Sequence, residues 1–155
     1  MAKADYVCAH RLRVRWVEVD MQKVVFNGHY LTYIDSAIAD YWRAIGLAYP
    51  EGYVDRYAND MFLRKAAVEY LGSAHYEDEL VVFCRVAKLG RSSMTFAFEI
   101  WRERPALSSP ASDAPLIQAE LVYVNADPKT MKAAPLPVDL RTRVRAYERT
   151  APAES

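Results

Sequence analysis

The pattern of hydrophobic positions predicts one strand followed by one long helix. From Arg11 to Val19, hydrophobic residues alternate with arginines at first, the period of two expected of a strand with one buried face. Hydrophobic residues then recur at spacings of three and four, typical of one face of a helix from about Gly28 to about Ile45. Asn27 is a favourable N-cap for that helix, and Gly46 and Pro50 are stop signals at its other end. The residues of the helical stripe are Leu31, Ile34, Ile38, Tyr41 and Ile45.

Four further segments have the alternation and composition of strands. They are Met61 to Leu71, Glu79 to Leu89, Ser92 to Arg102 and Pro115 to Ala126. A tyrosine-rich connection, Glu51 to Asp60, precedes them, and Gly90-Arg91 predicts a hairpin turn. The proline-rich stretch Arg104 to Pro115 is expected to be a loop. A short helix is predicted from Pro137 to Tyr147, and Thr150 to Ser155 is expected to be a frayed tail.

These elements predict a single α+β domain that comprises residues 1–155, with its core at about 8–140. The chain has 155 residues, which is room for one compact domain. An antiparallel sheet of five strands must cover the helix, because the helical stripe has no other hydrophobic surface on which to be buried.

Charge and cysteine content exclude several classes of function. Twenty basic residues balance twenty acidic ones, so the chain lacks the broad positive field typical of proteins that bind nucleic acid. The two cysteines, Cys8 and Cys84, are far apart and match no metal-ligand spacing, so we expect no metal and no redox cofactor. No hydrophobic run is long enough to span a bilayer, and the N-terminus does not resemble a signal peptide. A cytoplasmic location is therefore expected.

The segment from Trp16 to Asp35 closely resembles the signature of the hydroxybenzoyl-CoA thioesterase family of hotdog proteins. In that signature an aspartate, here Asp20, is followed by a short loop, a Val-Val-Phe element and the start of the central helix. The sequence is especially similar to the branch that includes the acyl-CoA thioesterase associated with the Tol-Pal system. That branch often carries glycine where this chain has Gln22 and Lys23. Further collinear matches are Lys65 to Tyr70, Asp78 to Leu80, Gly90 to Met94 and Asp127 to Lys132.

The resemblance implies a hotdog fold, in which an antiparallel five-stranded sheet wraps around a long central helix. It also implies that the chain hydrolyses acyl-CoA thioesters to a free carboxylic acid and CoA. Coenzyme A is then part of the substrate, and no separate cofactor is expected. Family members form homo-oligomers, so a dimer or a tetramer is expected, with acyl-CoA as the partner.

Hydrolysis of a thioester needs a nucleophile or an activated water on one side of the carbonyl and hydrogen-bond donors on the other. By resemblance, Asp20 is the catalytic carboxylate, either attacking directly to form an anhydride or acting as general base. The backbone N–H of Asn27, with Gly28 beside it, is the candidate for polarising the carbonyl, because free N–H groups at a helix start carry partial positive charge. Glu18 is expected to be a solvated strand end.

Eight residues are candidates for substrate binding. Arg91, Ser92 and Ser93 match the family's nucleotide-side segment, and Lys65 is a weaker candidate for a phosphate. The connection from Tyr49 to Tyr57 is expected to contribute to the acyl pocket. The other candidates, which flank the helix start, are Val25, Phe26, His29 and Tyr30.

Two rival functions remain open from the sequence. A non-catalytic module that binds acyl-CoA or an acyl carrier protein would keep the fold and the groove but not the turnover. A hotdog dehydratase or hydratase would need a catalytic histidine in a different motif, and no such motif surrounds His10, His29 or His75.

Overall fold

The long helix α1, His29–Ala44, lies against the inner face of an antiparallel sheet in the computed structural model, which describes residues 3–107 and 109–155. The sheet order is β1-β3-β4-β5-β2, and β6 pairs with β3 in parallel. The strands are β1 Cys8–Arg13, β2 Asp60–Tyr70, β3 Glu79–Leu89, β4 Ser93–Arg104, β5 Ile117–Ala126 and β6 Ala153–Glu154. The two shorter helices are α2 Glu51–Tyr57 and α3 Val138–Tyr147. Five long strands around one helix are the arrangement predicted for a hotdog fold.

The core lies between α1 and the inner face of β3 and β4. Every second residue of these strands points toward the helix, because side chains alternate between the two faces of a sheet. Tyr41 and Ile34 of α1 are fully buried there, as are Phe96 and Phe98 of β4. The rings of Tyr41 and Phe96 meet edge to face, with centroids 5.4 Å apart. The predicted helical stripe is therefore confirmed for the positions that face the sheet, whereas Leu31 is 40% exposed.

Gly46 ends α1, as the sequence predicts. It has a φ of 81°, a left-handed conformation that glycine adopts without a steric penalty. The N–H of Gly46 donates to the carbonyl of Arg43, and the N–H of Leu47 donates to that of Trp42. These bonds satisfy carbonyl groups that the last turn of a helix leaves free.

Replacing Gly46 by alanine is expected to lower the free energy of unfolding by about 1–2 kcal/mol, because an L side chain is strained in the left-handed conformation. The added Cβ would also lie 2.8 Å from Nη1 of Arg143, although that side chain is flexible. Urea denaturation measures the loss. Gly46→Asn is the matched control, since asparagine tolerates this conformation better, and it should lose less. Equal stability of Gly46→Ala and the wild type would contradict the prediction.

Three predicted boundaries are corrected by the structure. Strand β1 ends at Arg13 and not at Val19, because the chain turns into a short 3-10 helix, Trp16–Glu18. Helix α2 lies in the tyrosine-rich connection, for which no helix was predicted. The tail expected to be frayed contains β6, whose residue Ala153 pairs with Lys88 of β3.

Candidate active site

Asp20 begins a tight turn beyond the end of β1. Its N–H donates to the carbonyl of Val24 at 3.0 Å, and its own carbonyl accepts from the N–H of Lys23 at 2.9 Å. Its carboxylate oxygen Oδ1 accepts from the N–H of Gln22 at 2.8 Å. The second carboxylate oxygen, Oδ2, accepts no hydrogen bond from the described part of the chain. One oxygen of Asp20 is thus held by the turn, and the other is available to a substrate or a water.

Lys23 occupies a position in this turn that favours glycine. Its φ is 64°, in the left-handed region, where a non-glycine residue costs roughly 1 kcal/mol or more. Lys23 is therefore the residue of this turn with the least favourable backbone conformation.

The chain that follows the turn is anchored to the segment between β2 and β3. The N–H of Val25 donates to the carbonyl of Ala74 at 2.9 Å, and the N–H of Ala74 donates to the hydroxyl of Tyr30 at 3.0 Å. Burial of the phenol raises the pKa of Tyr30, so its hydroxyl stays neutral at physiological pH. Val25 and Tyr30, two of the predicted binding residues, are 3% and 2% exposed and therefore hold the site together.

Glu18 is buried, which corrects the expectation of a solvated strand end. Its side chain is 6% exposed and accepts hydrogen bonds from the N–H of Arg15 at 2.8 Å and from the hydroxyl of Tyr33 at 3.0 Å. Burial opposes ionisation of this carboxyl, but the hydrogen bonds from Arg15 and Tyr33 outweigh it and lower the pKa of Glu18. Its backbone carbonyl accepts the N–H of Phe26 at 3.0 Å. Glu18 therefore fixes the turn that carries Asp20.

The start of α1 lies in the same groove as Asp20. Gly28, and not Asn27, occupies the N-cap position, which corrects the predicted cap. The N–H of His29 donates to the carbonyl of Phe26 at 3.0 Å, whereas the N–H groups of Asn27 and Gly28 donate to no acceptor among the described residues. These two N–H groups are therefore available to a carbonyl oxygen.

Residues from three elements line this groove, which has a volume of about 490 Å³. Asp20 and Asn27 come from the turn and the helix start, and Tyr70 comes from the end of β2. The hydroxyl of Tyr70 donates to the carbonyl of Asn27 at 3.3 Å. Tyr70 was not predicted as a site residue, because it is more than forty positions from Asn27 and only the pairing of β2 with β5 places it here. The other lining residues are Gln22, Val24, Val25, Tyr30, Leu71, Gly72 and Ser73.

Phe26 and His29 lie at the rim of the site. The ring of Phe26 is 48% exposed and meets the ring of His29 at a centroid distance of 5.8 Å, edge to face. The His29 ring makes no side-chain hydrogen bond within the described residues. The structure therefore places both predicted residues next to the start of α1, beside the groove and not in its lining.

A buried ion pair holds the segment that anchors the site, next to Ser73 and Ala74. Nε of Arg102 donates to Oδ2 of Asp78 at 2.9 Å, and both side chains are almost fully buried. Nη2 of Arg102 also donates to the carbonyl of Ser73, one residue before the Ala74 that anchors the chain. Burial opposes ionisation, but hydrogen bonds from the Ala106 N–H and from Arg102 outweigh it and hold the pKa of Asp78 below its usual range.

The predicted nucleotide-side residues lie at the opposite end of the protomer. Arg91 and Ser92 lie in the turn between β3 and β4, and Ser93 is the first residue of β4. The N–H of Asn125 donates to the Ser92 carbonyl at 2.8 Å. Asp20 lies beyond the other end of these strands, and β4 alone, with twelve residues, has a length of about 36 Å. Lys65 lies midway along β2, paired with Val122 and therefore on the face turned away from α1. One protomer does not bring these residues to Asp20.

A second, largely hydrophobic cavity of about 180 Å³ lies between α1 and the sheet. Tyr49 lines it, which places one end of the Tyr49 to Tyr57 connection at a cavity wall. Asp35 is the acidic residue of its lining. The remaining lining residues are Ile38, Ala39, Trp42, Met61, Phe96 and Tyr123.

Comparison with known proteins identifies the family. A family model described as the thioesterase superfamily matches residues 22–109, which are 88 of the 155 residues. The chain belongs to the thioesterase superfamily. The matched stretch begins two residues after Asp20 and includes α1, β2, β3 and β4.

Relatives of this thioesterase-superfamily chain share its fold at low sequence identity. A thioesterase from Thermus thermophilus, solved with coenzyme A and Zn, is 24% identical, with a TM-score of 0.76 over 94% of this chain and 97% of that one. A 1,4-dihydroxy-2-naphthoyl-CoA thioesterase from Synechocystis is 20% identical, with a TM-score of 0.72 over 88% of this chain and 93% of that one. A protein of Aquifex aeolicus, named only as a presumed esterase, is 26% identical over 99 residues, 64% of this chain and 76% of that protein. The predicted hotdog fold is confirmed, whereas the Tol-Pal branch stays a prediction.

Within residues 3–107 and 109–155, no helix has the length and hydrophobicity needed to cross a membrane. Within the same residues, no group of three or more His, Cys, Asp or Glu side chains is arranged to hold a metal ion.

Proposed function

We propose that this thioesterase-superfamily protein hydrolyses acyl-CoA thioesters to a free carboxylic acid and CoA, with Asp20 as the catalytic carboxylate. The observation that carries the proposal is that Asp20 and Asn27 line one groove. One carboxylate oxygen of Asp20 accepts no hydrogen bond from the described residues, and the N–H groups of Asn27 and of the adjacent Gly28 donate to none of them. A thioester needs a nucleophile and an oxyanion-stabilising group, and Asp20 with Asn27 and Gly28 supplies both.

The thioester carbonyl oxygen accepts hydrogen bonds from the N–H groups of Asn27 and Gly28, which polarises the carbonyl carbon. In one route Oδ2 of Asp20 attacks that carbon, the C–S bond breaks, CoA leaves as the thiolate, and water hydrolyses the resulting anhydride. In the other route Asp20 accepts a proton from a water, whose oxygen attacks the same carbon; the C–S bond breaks and the thiolate is protonated. Both routes use the same three residues.

Labelling separates the two routes. Many turnovers in water enriched in oxygen-18 place the label on the Asp20 carboxylate if the anhydride forms and water attacks its aspartyl carbonyl. The peptide containing Asp20, analysed by mass spectrometry, then gains mass. A labelled peptide therefore establishes the anhydride route. An unlabelled peptide, with the label only in the released acid, excludes attack of water on the aspartyl carbonyl and is the result expected of the general-base route.

The test of the activity is the release of free thiol from a panel of acyl-CoAs, with aromatic, short and long acyl groups. We expect at least one of them to be hydrolysed to equal amounts of acid and CoA. A protein that binds CoA but releases no thiol from any member would be the non-catalytic binding module instead.

We place the acyl group along the exposed side of α1. Leu31 is 40% exposed and lies one turn beyond Asn27, and Asp35 lies one turn further at the wall of the 180 Å³ cavity. Asp35 lies eight positions after Asn27, a rise of about 12 Å at the helical spacing. This path would take an acyl group from the polarising N–H groups to the cavity lined by Tyr49, and a cocrystal with the acyl group elsewhere would exclude it.

A homodimer through β2 would complete the site. β2 is an edge strand of the sheet, and its inward-facing residues Leu63 and Tyr70 are 52% and 51% exposed. If two β2 strands pair in antiparallel fashion about a twofold axis, the strands of the partner's sheet run in the opposite direction to those of the first protomer. The partner's turn between β3 and β4, which carries its copies of Arg91 to Ser93, would then lie at the same end as Asp20. In this arrangement the partner's turn is placed to bind the nucleotide part of CoA, which is the role that the sequence predicted for Arg91 to Ser93.

Replacing Leu63 by aspartate is expected to convert the dimer into monomers, because the interface would then bury an unpaired carboxylate at a cost of several kcal/mol. The dimer dissociation constant should weaken by at least about 100-fold. Sedimentation velocity measures the change. The control is Val138→Asp on α3, a residue 77% exposed that belongs to neither β2 nor the site. If the wild type sediments as a monomer, the proposal of a dimer through β2 is wrong.

A further inference from the structure

One peptide group connects Tyr70 to the start of α1. The carbonyl of Asn27 and the N–H of Gly28 belong to the same peptide group, because a peptide bond joins the carbonyl carbon of one residue to the nitrogen of the next. The hydroxyl of Tyr70 donates to that carbonyl at 3.3 Å. The N–H at the other end of the group donates to no acceptor in the described part of the chain. Tyr70 therefore contacts the far end of a peptide whose N–H is available to a thioester.

The scaffold holds Tyr70 in place without a substrate. Tyr70 is the last residue of β2 and pairs with Ile117 of β5. Its ring meets the buried ring of Tyr30 edge to face, with centroids 5.9 Å apart. The hydroxyl of Tyr30 in turn accepts the N–H of Ala74 at 3.0 Å. The contact of Tyr70 with Asn27 thus rests on contacts that exist before the reaction.

The start of α1 fixes the orientation of the Asn27–Gly28 peptide. Gly28 has helical backbone angles, with a φ of −68° and a ψ of −24°. The N–H of His29 donates to the carbonyl of Phe26 at 3.0 Å, which closes a turn around this peptide. The N–H groups of a first helical turn point out of the N-terminal end of the helix, so the Gly28 N–H is directed away from the body of α1.

A hydrogen bond at the oxygen of a peptide makes the N–H of the same peptide a stronger donor. The bond draws electrons from the nitrogen toward the oxygen, which leaves the N–H more positive. Successive bonds in such a chain strengthen one another by roughly 10–30% each. The gain is largest when the oxygen bound by the N–H carries the most negative charge, which is in the transition state of thioester hydrolysis.

We propose that Tyr70 is a positioning residue of the hydrolase: its hydroxyl orients and polarises the Asn27–Gly28 peptide, so that the Gly28 N–H becomes a stronger donor to the thioester carbonyl oxygen. The inference rests on the proposed function. Tyr70 touches no reacting atom in this arrangement and acts only through the peptide. Its bond of 3.3 Å is long for a hydroxyl donor, and it shortens when a thioester binds, because the bonds at the two ends of the peptide strengthen each other.

Tyr70→Phe removes the hydroxyl and keeps the ring. One oxyanion donor contributes about 100-fold to 1000-fold to kcat, so weakening it by roughly 10–30% is expected to lower kcat by about twofold to eightfold. KM should stay within about twofold, because the lost interaction is made mainly in the transition state. Release of free thiol from the best acyl-CoA substrate measures both constants.

Tyr147→Phe on α3 is the matched control. It removes the hydroxyl of a half-buried tyrosine that lines neither the groove of Asp20 nor the 180 Å³ cavity, so kcat and KM should not change.

Three kinetic outcomes would overturn the proposal. A kcat of Tyr70→Phe within about 1.5-fold of the wild type means that the hydroxyl has no part in the reaction. A higher KM at constant kcat means that Tyr70 only binds the substrate. A loss of more than about 100-fold means that the hydroxyl itself touches the reacting atoms.

Failure of the proposed function is recognised separately, because the wild type then releases no thiol from any acyl-CoA. The ester survives in that case, so the infrared comparison described next is made on the wild type and Tyr70→Phe directly.

The carbonyl stretch of a bound thioester distinguishes polarisation from a merely structural role. Asp20→Asn is loaded with an acyl-CoA that carries carbon-13 at the thioester carbonyl, and its infrared band is compared with that of the free ester. We expect binding to shift the band to lower frequency, and the shift to be smaller by about a tenth when Tyr70→Phe is added, because one of two donors is weakened. Adding Tyr147→Phe should leave the shift unchanged. Equal shifts with and without the Tyr70 hydroxyl, or no shift on binding, would overturn the proposal.

Discussion

Asp20→Asn is expected to lower kcat for thioester hydrolysis by at least about 100-fold while the protein stays folded. A carboxamide can neither attack the carbonyl nor accept a proton from water, and removal of a general base alone costs roughly a hundredfold to ten-thousandfold. The side-chain oxygen of asparagine can still accept the N–H of Gln22, so the turn should persist. Release of free thiol measures kcat, and a thermal melt within about 2 °C of the wild type shows that the fold is retained.

Asp127→Asn is the matched control for this substitution. Oδ1 of Asp127 accepts the N–H of Lys129 at 2.8 Å, the same local bond that Asp20 makes with Gln22. Asp127 directly follows β5, at the end of the sheet remote from Asp20. The control should keep full activity. An Asp20→Asn protein that retains half of the wild-type kcat would contradict the catalytic role of Asp20.

Asp78→Asn is expected to lower the free energy of unfolding by about 3–5 kcal/mol, because it leaves the guanidinium of Arg102 buried without its counter-ion. Asp78 is 0% exposed and Arg102 is 5% exposed, so water cannot replace the lost carboxylate. Urea denaturation at pH 7 measures the loss. The control is Glu103→Gln, which removes the exposed ion pair of Glu103 with Arg11 and should change stability by less than about 1 kcal/mol.

The same carboxylate predicts a dependence of stability on pH. The pKa of Asp78 is lowered in the folded state, against an unfolded value near 4. Its contribution to stability is therefore fully present above pH 4 and is lost as the pH falls through the lowered folded pKa. The wild type should lose stability below pH 4 more steeply than Asp78→Asn. Parallel curves for the two proteins would show that Asp78 does not titrate as described.

The sequence predicted an element correctly where its hydrophobic period and its start and stop signals indicate the same bounds. The helix stripe and Gly46 gave α1 within one residue at each end, and β3 has the predicted bounds. The alternation before Asp20 predicted too long a strand, because Trp16 continues the period while the chain has already turned to bury Glu18. The pattern records polarity, and it cannot distinguish a solvated glutamate from one that accepts hydrogen bonds from Arg15 and Tyr33.

The site was predictable only where it is local in the sequence. Asp20, Asn27 and Gly28 lie within nine residues, so one motif could name them together, and Asp20 and Asn27 line one groove, with Gly28 next to Asn27 in the chain. The support from Tyr70, Ala74 and the Arg102 ion pair depends on strand pairing, which a single sequence does not give. Arg91 to Ser93 matched a motif, but their position relative to Asp20 depends on how two protomers associate.

The most direct test of the central claim is a crystal structure of Asp20→Asn with an unhydrolysed acyl-CoA. We predict that the thioester carbonyl oxygen accepts hydrogen bonds from the N–H groups of Asn27 and Gly28, with the side chain at position 20 on the other face of the carbonyl. A thioester bound away from the start of α1, with those N–H groups still free, would contradict the account.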